Sequence, residues 1–579
     1  MPQASLTTSG WITLVATWSI IGGLTIWCFG RVLCSKKGPG GTAGRARWAS
    51  RVGLILAVSG NAIGLGNFLR FPVKVASNGG GAFLVPYFCA FLFLGIPLMW
   101  VEWTTGRLGG SKGHGSTPGM FSLLWKHPAS KYLGALGIAL PFGVAVFYCF
   151  IESWTLAFAT FSATGLYFGN TTREAMGAFL RGYQGVESNA SFGTVLPAVG
   201  FLLLTLLVNW WFLRRGLARG IEILARYGMP ILFLCAVVLV IRVLTFGSPD
   251  PTQPENSVAR GMAWLWNPDF SRLDEAKVWL IAAGQVFFTL SLGQGMINTY
   301  ASYVGEDQDI TLNGLTTAMT NEFAEVILGA TLAIPAAVAF FGLAETQAIA
   351  QGGAFDLGFQ SLPVIFQQVY AGQAFGTLWF GLLFIAGITS SVAMIQPVVA
   401  FLEDELKIRR KRAVDLTFLV LVACTTPVVA FFKFGFLDEM DFWIGTFGLA
   451  LFAVLEIGVF SWIYGVDRGW KEMHRGADLE VPRVFRFILR WVTPLYLVAL
   501  LVVWTWQDAI PELMLRGREP AEVPYHWAAR LLCLAILAGA LLLVRIAWRR
   551  RARLAYPSDS AACAAASRAM GTRKGEQDT

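Results

Sequence analysis

Apolar residues run along this chain in long blocks separated by short polar stretches. A helix needs about 20 predominantly apolar residues to cross a bilayer. From Val52 onward about twelve blocks reach that length. They lie near 52–77, 81–107, 132–164, 194–213, 221–246, 278–303, 314–343, 374–402, 413–433, 440–464, 485–506 and 527–547. Two blocks are interrupted. Ala57-Val-Ser-Gly-Asn-Ala-Ile-Gly-Leu-Gly-Asn-Phe-Leu-Arg-Phe-Pro72 starts as half an apolar helix, meets Gly60, Asn61, Gly64, Gly66 and Asn67, and resumes at Phe68. Glycine weakens a helix interior by about 1 kcal/mol relative to alanine, and asparagine competes for backbone hydrogen bonds. Gly284-Gln-Val-Phe-Phe-Thr-Leu-Ser-Leu-Gly-Gln-Gly-Met-Ile297 interrupts the sixth block in the same way. A break at membrane depth is tolerated only where the freed backbone is buried in protein or lines a cavity. Two breaks at matching places in two five-helix halves predict an inverted repeat, although the halves share no residue-level similarity.

One more apolar block precedes these, residues 11–33, with Trp11, Trp18 and Trp27. A signal peptide carries its basic residues before the apolar core. Here Arg31, Lys36, Lys37, Arg45, Arg47 and Arg51 follow it, which predicts a retained extra span with its amino end outside. Residues 35–44 read as a linker. The clusters Arg214/Arg215/Arg219, Arg409/Arg410/Lys411/Arg412, Arg468/Lys471/Arg475 and Arg549/Arg550/Arg551/Arg553 follow alternate spans. They mark the cytoplasmic side and place the carboxyl end inside. The opposite segments, about 165–193, 247–275 and 344–373, read as external loops. The predicted division is 1–44 extra helix and basic linker, 45–246 first repeat, 247–466 second repeat, 467–551 two further helices, and 552–579 a cytoplasmic tail rich in Ala, Ser and charge.

Composition narrows the class. With 55% apolar and 14% charged residues and 22 tryptophans, the chain has too little charge to cover a soluble surface. The expectation is an all-α, multi-pass protein of a cell (inner) membrane, with the lipid bilayer as its surroundings. The eight cysteines show no CxxC spacing and the four histidines no i, i+4 pair, so no metal centre is predicted from them. The net charge of +9 sits in loops and tail, which argues for orientation and against nucleic-acid binding. No nucleophile–base set appears, so an enzyme is not expected.

GNAIGLGNFLRFP, Asn78-Gly-Gly-Gly-Ala-Phe-Leu-Val-Pro-Tyr87 and Gly95-Ile-Pro-Leu-Met-Trp-Val-Glu-Trp-Thr-Thr-Gly-Arg107 carry a resemblance that continues in patches to about Trp443. The chain resembles the neurotransmitter:sodium symporter family, in particular its bacterial amino-acid transporters of the leucine transporter type. The resemblance implies the leucine-transporter fold: inverted five-helix repeats, broken helices one and six, and two further helices. It implies sodium-coupled symport of an amino acid by alternating access, with two Na+ sites. The first would take the Ala62 carbonyl, the Asn67, Thr289 and Asn321 side chains and the substrate carboxylate. The second would take carbonyls of Gly60, Ile63 and Ala386 and hydroxyls of Thr389 and Ser390. Read without the resemblance, those hydroxyls would bond their own helix or join neighbouring helices.

The resemblance also implies a substrate pocket. Asn61 belongs to it, as do the amides of Leu65 and Gly66 at a half-helix amino terminus, which suit an anion. Tyr148 would bond the substrate carboxylate. Carbonyls of Ala62, Phe288 and Thr289, with the Ser291 hydroxyl, would receive the amine. Gly64 stands where monoamine members carry aspartate, which points to an amino acid. Val144, Tyr148, Phe288, Gln294, Ser390 and Met394 would face the substrate side chain. Gln294 and Met394 depart from the leucine-transporting pattern; glutamine could bond a polar substrate or leave room for a larger one. Neutral, chiefly hydrophobic, amino acids are the expected class. Arg70 and Asp441 resemble an outer gate bridged by water, and Arg45, Trp48, Tyr303 and Asp404 an inner one, with Arg47 able to replace Arg45. Glu102 is expected to satisfy freed amides of the breaks. Glu325 occupies the place of a serine in chloride-dependent members, so no chloride is expected. A homodimer stays open. The alternative reading is an amino-acid sensor or non-transporting binding protein on the same fold.

Overall fold

The computed structural model describes residues 5–34 and 46–555. Among them there are helices and no strands. Eleven helices are long and apolar enough to span a membrane, or twelve with one bent pair. The first is α1, Thr8–Cys34. The bent pair is α2, Arg51–Ala62, and α3, Gly66–Ser77, which meet at 48°. Then come α4 (Gly81–Ser111), α5 (Ser130–Thr164), α6 (Leu196–Arg214) and α7 (Leu217–Leu244). A second broken span is made by α8, Ala276–Thr289, and α9, Met296–Ala301. The remainder are α10 (Ile310–Gly352), α11 (Gly372–Asp404), α12 (Arg410–Ala430), α13 (Phe436–Met473) and α14 (Val484–Leu513). The last is α15, Val523–Ala555. Every expected span is present. The expected linker 35–44 and most of the tail lie outside the described residues.

Apolar pattern decides which helices are central. α5 and α11 are buried over most of their length and make the most extensive helix–helix contact in the molecule. The two half-helices α2 and α3 sit among α7, α10 and α11. Large apolar side chains point outward instead on α6, α7, α12, α14 and α15, for example Leu203, Leu207, Leu234, Leu419, Val502 and Leu534. That inverted dressing suits lipid, where an apolar exterior carries no cost and only the backbone must bond internally.

The extra helix α1 is seated rather than loose. Its buried residues Leu14, Ile21, Cys28 and Val32 face α2, α10 and the short helix Val258–Trp266. Thr7 N and Oγ1 both donate to Asn267 Oδ1, at 3.0 and 3.1 Å. Thr25 Oγ1 donates to the Met319 carbonyl at 3.1 Å. Trp18 meets Trp266 edge to face.

The segments read as external loops carry helices: Arg173–Tyr183, Val258–Trp266 and the pair Asp356–Ser361 and Leu362–Gln367. These are one to three turns long, too short for an apolar-length criterion to register. Thr172 and Ser257 cap the first two by accepting from Ala175 N and Arg260 N. The long helix α10 turns at Gly342, φ 77°, before the last pair. Gly358 then presses on Leu69: a Cβ there would sit 2.2 Å from Leu69 Cδ2.

Candidate functional site

The two breaks meet at the centre. α2 ends at Ala62, and Ile63 turns extended, φ −78° and ψ 93°. Between α8 and α9 the chain turns left-handed at Ser291 (φ 55°), Gly293 (φ 67°) and Gly295 (φ 73°). Glycine is needed at the last two because backbone presses on them. A Cβ on Gly293 would lie 2.6 Å from the Leu449 carbonyl, and one on Gly295 2.4 Å from that of Gly137. Ser291 adopts the same conformation against its steric preference and donates to the Asn61 carbonyl at 3.0 Å, tying one break to the other. Glu102 Oε1 accepts from Gly293 N at 2.7 Å, as its sequence position suggested.

Asn67, Thr289 and Asn321 converge from α3, α8 and α10. Asn67 Nδ2 donates to Thr289 Oγ1 at 3.0 Å and to Asn321 Oδ1 at 2.8 Å, and its Oδ1 accepts from Gly64 N at 2.9 Å. Asn67 lies in a π-helical turn, Gly66–Arg70, and Glu325 in another, Phe323–Gly329. Such turns often mark functional sites. On the other side of the break, Ser390 Oγ donates to the carbonyls of Gly60 and Asn61, at 3.3 and 3.2 Å. Thr389 Oγ1 donates to carbonyls of its own helix, Ile385 at 3.0 Å and Ala386 at 3.1 Å. A Cβ on Gly60 would lie 3.2 Å from Thr389 Cβ, so α2 and α11 touch there. Ala62, Ile63 and Ala386 are buried.

Glu325 is the hub of a second network. It accepts from Tyr87 Oη at 3.0 Å, Gln285 Nε2 at 2.6 Å and Asn321 Nδ2 at 3.3 Å, and from Thr289 Oγ1. Tyr87 Oη also lies 2.8 Å from Glu322 Oε1. The sequence reading passed over Glu322, although its i, i+3 spacing from Glu325 puts both carboxyl groups on one helix face.

A cavity of about 470 Å3 opens above the breaks. Leu65, Gly66, Val144, Tyr148 and Phe288 line it, with Arg70 and Asp441 higher up. Leu65 N donates to Tyr148 Oη at 3.3 Å. The Arg70 guanidinium lies 4.1 Å from the Phe288 ring centroid. Among the described residues no ion pair within 4 Å joins Arg70 to Asp441. Gln294 and Met394, 3% and 6% exposed, are buried and do not line this cavity; Ser291 and Ser390 are buried too.

Gly64 has a steric reason to be glycine. A Cβ there would lie 2.9 Å from Ser390 Oγ and 3.2 Å from Tyr148 Oη. Gly64→Ala should therefore lower stability by about 1–3 kcal/mol, seen as a lower melting temperature in detergent. An unshifted melt would show that both hydroxyls yield.

At the opposite end Trp48 is buried, its Nε1 3.3 Å from the Tyr300 carbonyl. Tyr303 Oη accepts from Gln396 Nε2 at 2.9 Å, and Arg410 joins Gln396 Oε1 and Glu403 Oε2, each at 2.9 Å. Asp404 closes α11. Arg45 lies outside the described residues. Sequence reasoning missed Glu222, which accepts from Ala49 N at 2.6 Å and Ser50 Oγ at 2.7 Å and so anchors the start of α2. Its only signal was a carboxylate at the entry of an apolar block.

Residues 45–178 and 179–551 match the sodium:neurotransmitter symporter family. An uncharacterized sodium-dependent transporter of Methanocaldococcus jannaschii is 29% identical over 466 residues, 79% of this chain and 89% of its own. The sodium- and chloride-dependent neutral and basic amino acid transporter B(0+) of Mus musculus is 25% identical over 558 residues, 84% of this chain and 82% of its own. The crystal structure of MhsT in complex with L-phenylalanine superposes with a TM-score of 0.67 at 28% identity, covering 79% of this chain and 99% of that one. These relatives are transporters and not enzymes. The chain belongs to the sodium:neurotransmitter symporter family, with the leucine-transporter fold, and is a sodium-coupled membrane transporter.

Proposed function

We propose that the protein is a symporter that carries neutral amino acids inward on a sodium gradient by alternating access. One observation carries the reading. Two broken helices bring the Asn67 amide to Thr289 Oγ1 and Asn321 Oδ1, the Ser390 hydroxyl to the Gly60 carbonyl, and Thr389 beside Gly60, on either side of one break. Oxygen ligands of this kind suit a hard monovalent cation. The first sodium would sit on Ala62, Asn67, Thr289 and Asn321 beside the substrate carboxylate. The second would sit between Gly60, Ile63, Ala386, Thr389 and Ser390. Because carboxylate and first sodium bind together, each raises the other's affinity equally.

The carboxylate would bind Tyr148 and the amides of Leu65 and Gly66, and the amine the carbonyls near Asn61, Ala62, Phe288 and Thr289 with Ser291. Arg70 and Asp441 would close the pocket from outside; Trp48, Tyr303 and Asp404, with Arg45 or Arg47, from inside. Residues 45–246 and 247–466 would form the two repeats. The carboxyl end would lie in the cytoplasm and the amino end outside an inner membrane. L-Phenylalanine in the MhsT structure supports a neutral substrate class.

Uptake into proteoliposomes under an imposed sodium gradient tests the reading. Sodium-dependent binding without accumulation would favour a sensor. Asn67→Leu and Thr389→Val each delete one ligand oxygen, so each should weaken sodium binding by about tenfold or more, from at least about 1.5 kcal/mol for a contact with a charged group. Scintillation proximity binding at graded sodium reads this. Unaltered sodium affinity in a folded Asn67→Leu protein would remove the first-site assignment.

A further inference from the structure

An apolar groove of about 400 Å3 lies between α12 and α15, away from the breaks. Both helices pack on α5, but not closely on each other. Leu416 and Val420 form one wall, Leu532 and Ile536 the other, and Phe142 and Leu402 the floor. The only hydroxyl among the described residues that line it belongs to Thr417, and it donates to the Ala413 carbonyl of its own helix at 2.8 Å. The space is open: a Cβ added to Gly539, on the α15 wall, would meet no atom within 4 Å.

One end of this groove is basic. Residues three, four or seven apart share a helix face. Arg412 stands one turn before Leu416 on α12, and Arg550 two turns after Leu543 on α15. The loop from α11 to α12 passes between them. Its Leu406 and Ile408 line the groove, while Lys407 and Arg409 are exposed. Arg550 Nη1 donates to the Leu406 carbonyl at 3.1 Å, which seats the end of α15 at the mouth.

The acids nearby are committed elsewhere. Glu403 pairs with Arg410 at 2.9 Å, and Glu405 with His114 at 2.7 Å and with Arg551. Asp415 accepts from Trp210 Nε1 at 2.9 Å and pairs with Arg214 at 3.4 Å. Asp404 is engaged too. Among the described residues, Lys407, Arg409 and Arg412 have no ion-pair partner. The mouth therefore offers uncompensated positive charge at the end of an apolar trough.

We propose that the groove binds an anionic phospholipid. One acyl chain lies along Gly539 between α12 and α15, and the phosphate-bearing head group meets Arg409, Arg412 and Arg550, with Lys407 beside them. Basic pockets between membrane helices take anionic head groups in this way, and a guanidinium fork matches phosphate oxygens. A neutral lipid would gain the same apolar contact without the charge pairing, so head-group charge selects the occupant. The site is independent of the sodium and substrate assignments.

The test is equilibrium binding of radiolabelled dioleoyl phosphatidylglycerol to delipidated protein in detergent, with dioleoyl phosphatidylcholine as competitor. The anionic lipid should bind about tenfold more tightly or better, because several basic residues act together. Arg409→Gln/Arg412→Gln should remove that preference. Gly539→Leu fills the trough and leaves the charges, and should weaken binding of the anionic lipid by a similar factor. Arg215→Gln/Arg219→Gln, which removes two charges outside the groove, should change neither. Affinities for the two lipids within about twofold of each other in the wild type would overturn the proposal. So would a preference that survives in the folded Arg409→Gln/Arg412→Gln protein, or one lost equally in the Arg215→Gln/Arg219→Gln control. If Gly539→Leu fails to fold, the exposed arginine pair still decides. A delipidated dimer that Gly539→Leu dissociates and phosphatidylglycerol does not would make the groove a contact between two copies, and would also overturn it.

Discussion

Sodium-driven uptake should continue undiminished when all chloride is replaced by gluconate, and Glu325→Ser should make it chloride-dependent. Glu325 accepts from Tyr87, Gln285, Thr289 and Asn321, four donors drawn from three helices. Such a donor set would hold a small anion if the carboxylate were removed. With the carboxylate in place, an added chloride would feel a second negative charge. At 4 Å that repulsion is about 4 kcal/mol for an effective dielectric constant of 20. Glu322, sharing the Tyr87 hydroxyl at 2.8 Å, adds a further carboxyl group. A chloride beside the Glu325 carboxylate would be a second negative charge in one buried site, so fixed charge and bound chloride exclude each other. In the serine variant the donors remain and the charge is gone, so chloride removal should cut uptake at least tenfold. The chloride-dependent mouse relative, at 25% identity, provides a control for the assay. Wild-type uptake that stops in gluconate would refute the assignment. A serine variant that folds, transports and ignores chloride would show Glu325 to be structural.

Tyr148→Phe should lower substrate affinity about ten- to hundredfold, since a hydrogen bond to a charged group is worth about 1.5–3 kcal/mol. In the structure Tyr148 Oη accepts a long bond, 3.3 Å, from Leu65 N and also meets the Ser390 hydroxyl. Its hydroxyl proton is thus available to a carboxylate at the cavity floor, and losing the hydroxyl should cost little stability without substrate. The expected signature is a large loss in binding with a nearly unchanged melting temperature. Competition by a carboxyl-amidated amino acid gives an independent check. If the amide binds wild type as well as the free acid does, Tyr148 is not bonding a carboxylate.

The number of spans was legible because lipid imposes a length rule: each helix must stay apolar for about 20 residues. Both breaks were legible because Gly60, Gly64, Gly66, Gly293 and Gly295 are residues that a continuous helix would not choose there. The proposed oxygen ligands came from motif resemblance. The short helices between spans were not legible, because Arg173–Tyr183 and Val258–Trp266 bury one face on partners far away in sequence.

Local chemistry therefore determined from sequence where the chain crosses and where it breaks. Tertiary structure alone decided the partners. It placed the Gly137 and Leu449 carbonyls against two glycines, sent Glu222 to the start of α2, set Glu322 beside Glu325 under one tyrosine, and left Gln294 Oε1 unbonded. The physical reason is that a hydrogen bond depends on ångström-scale approach between segments often a hundred or more residues apart, which neither periodicity nor composition records.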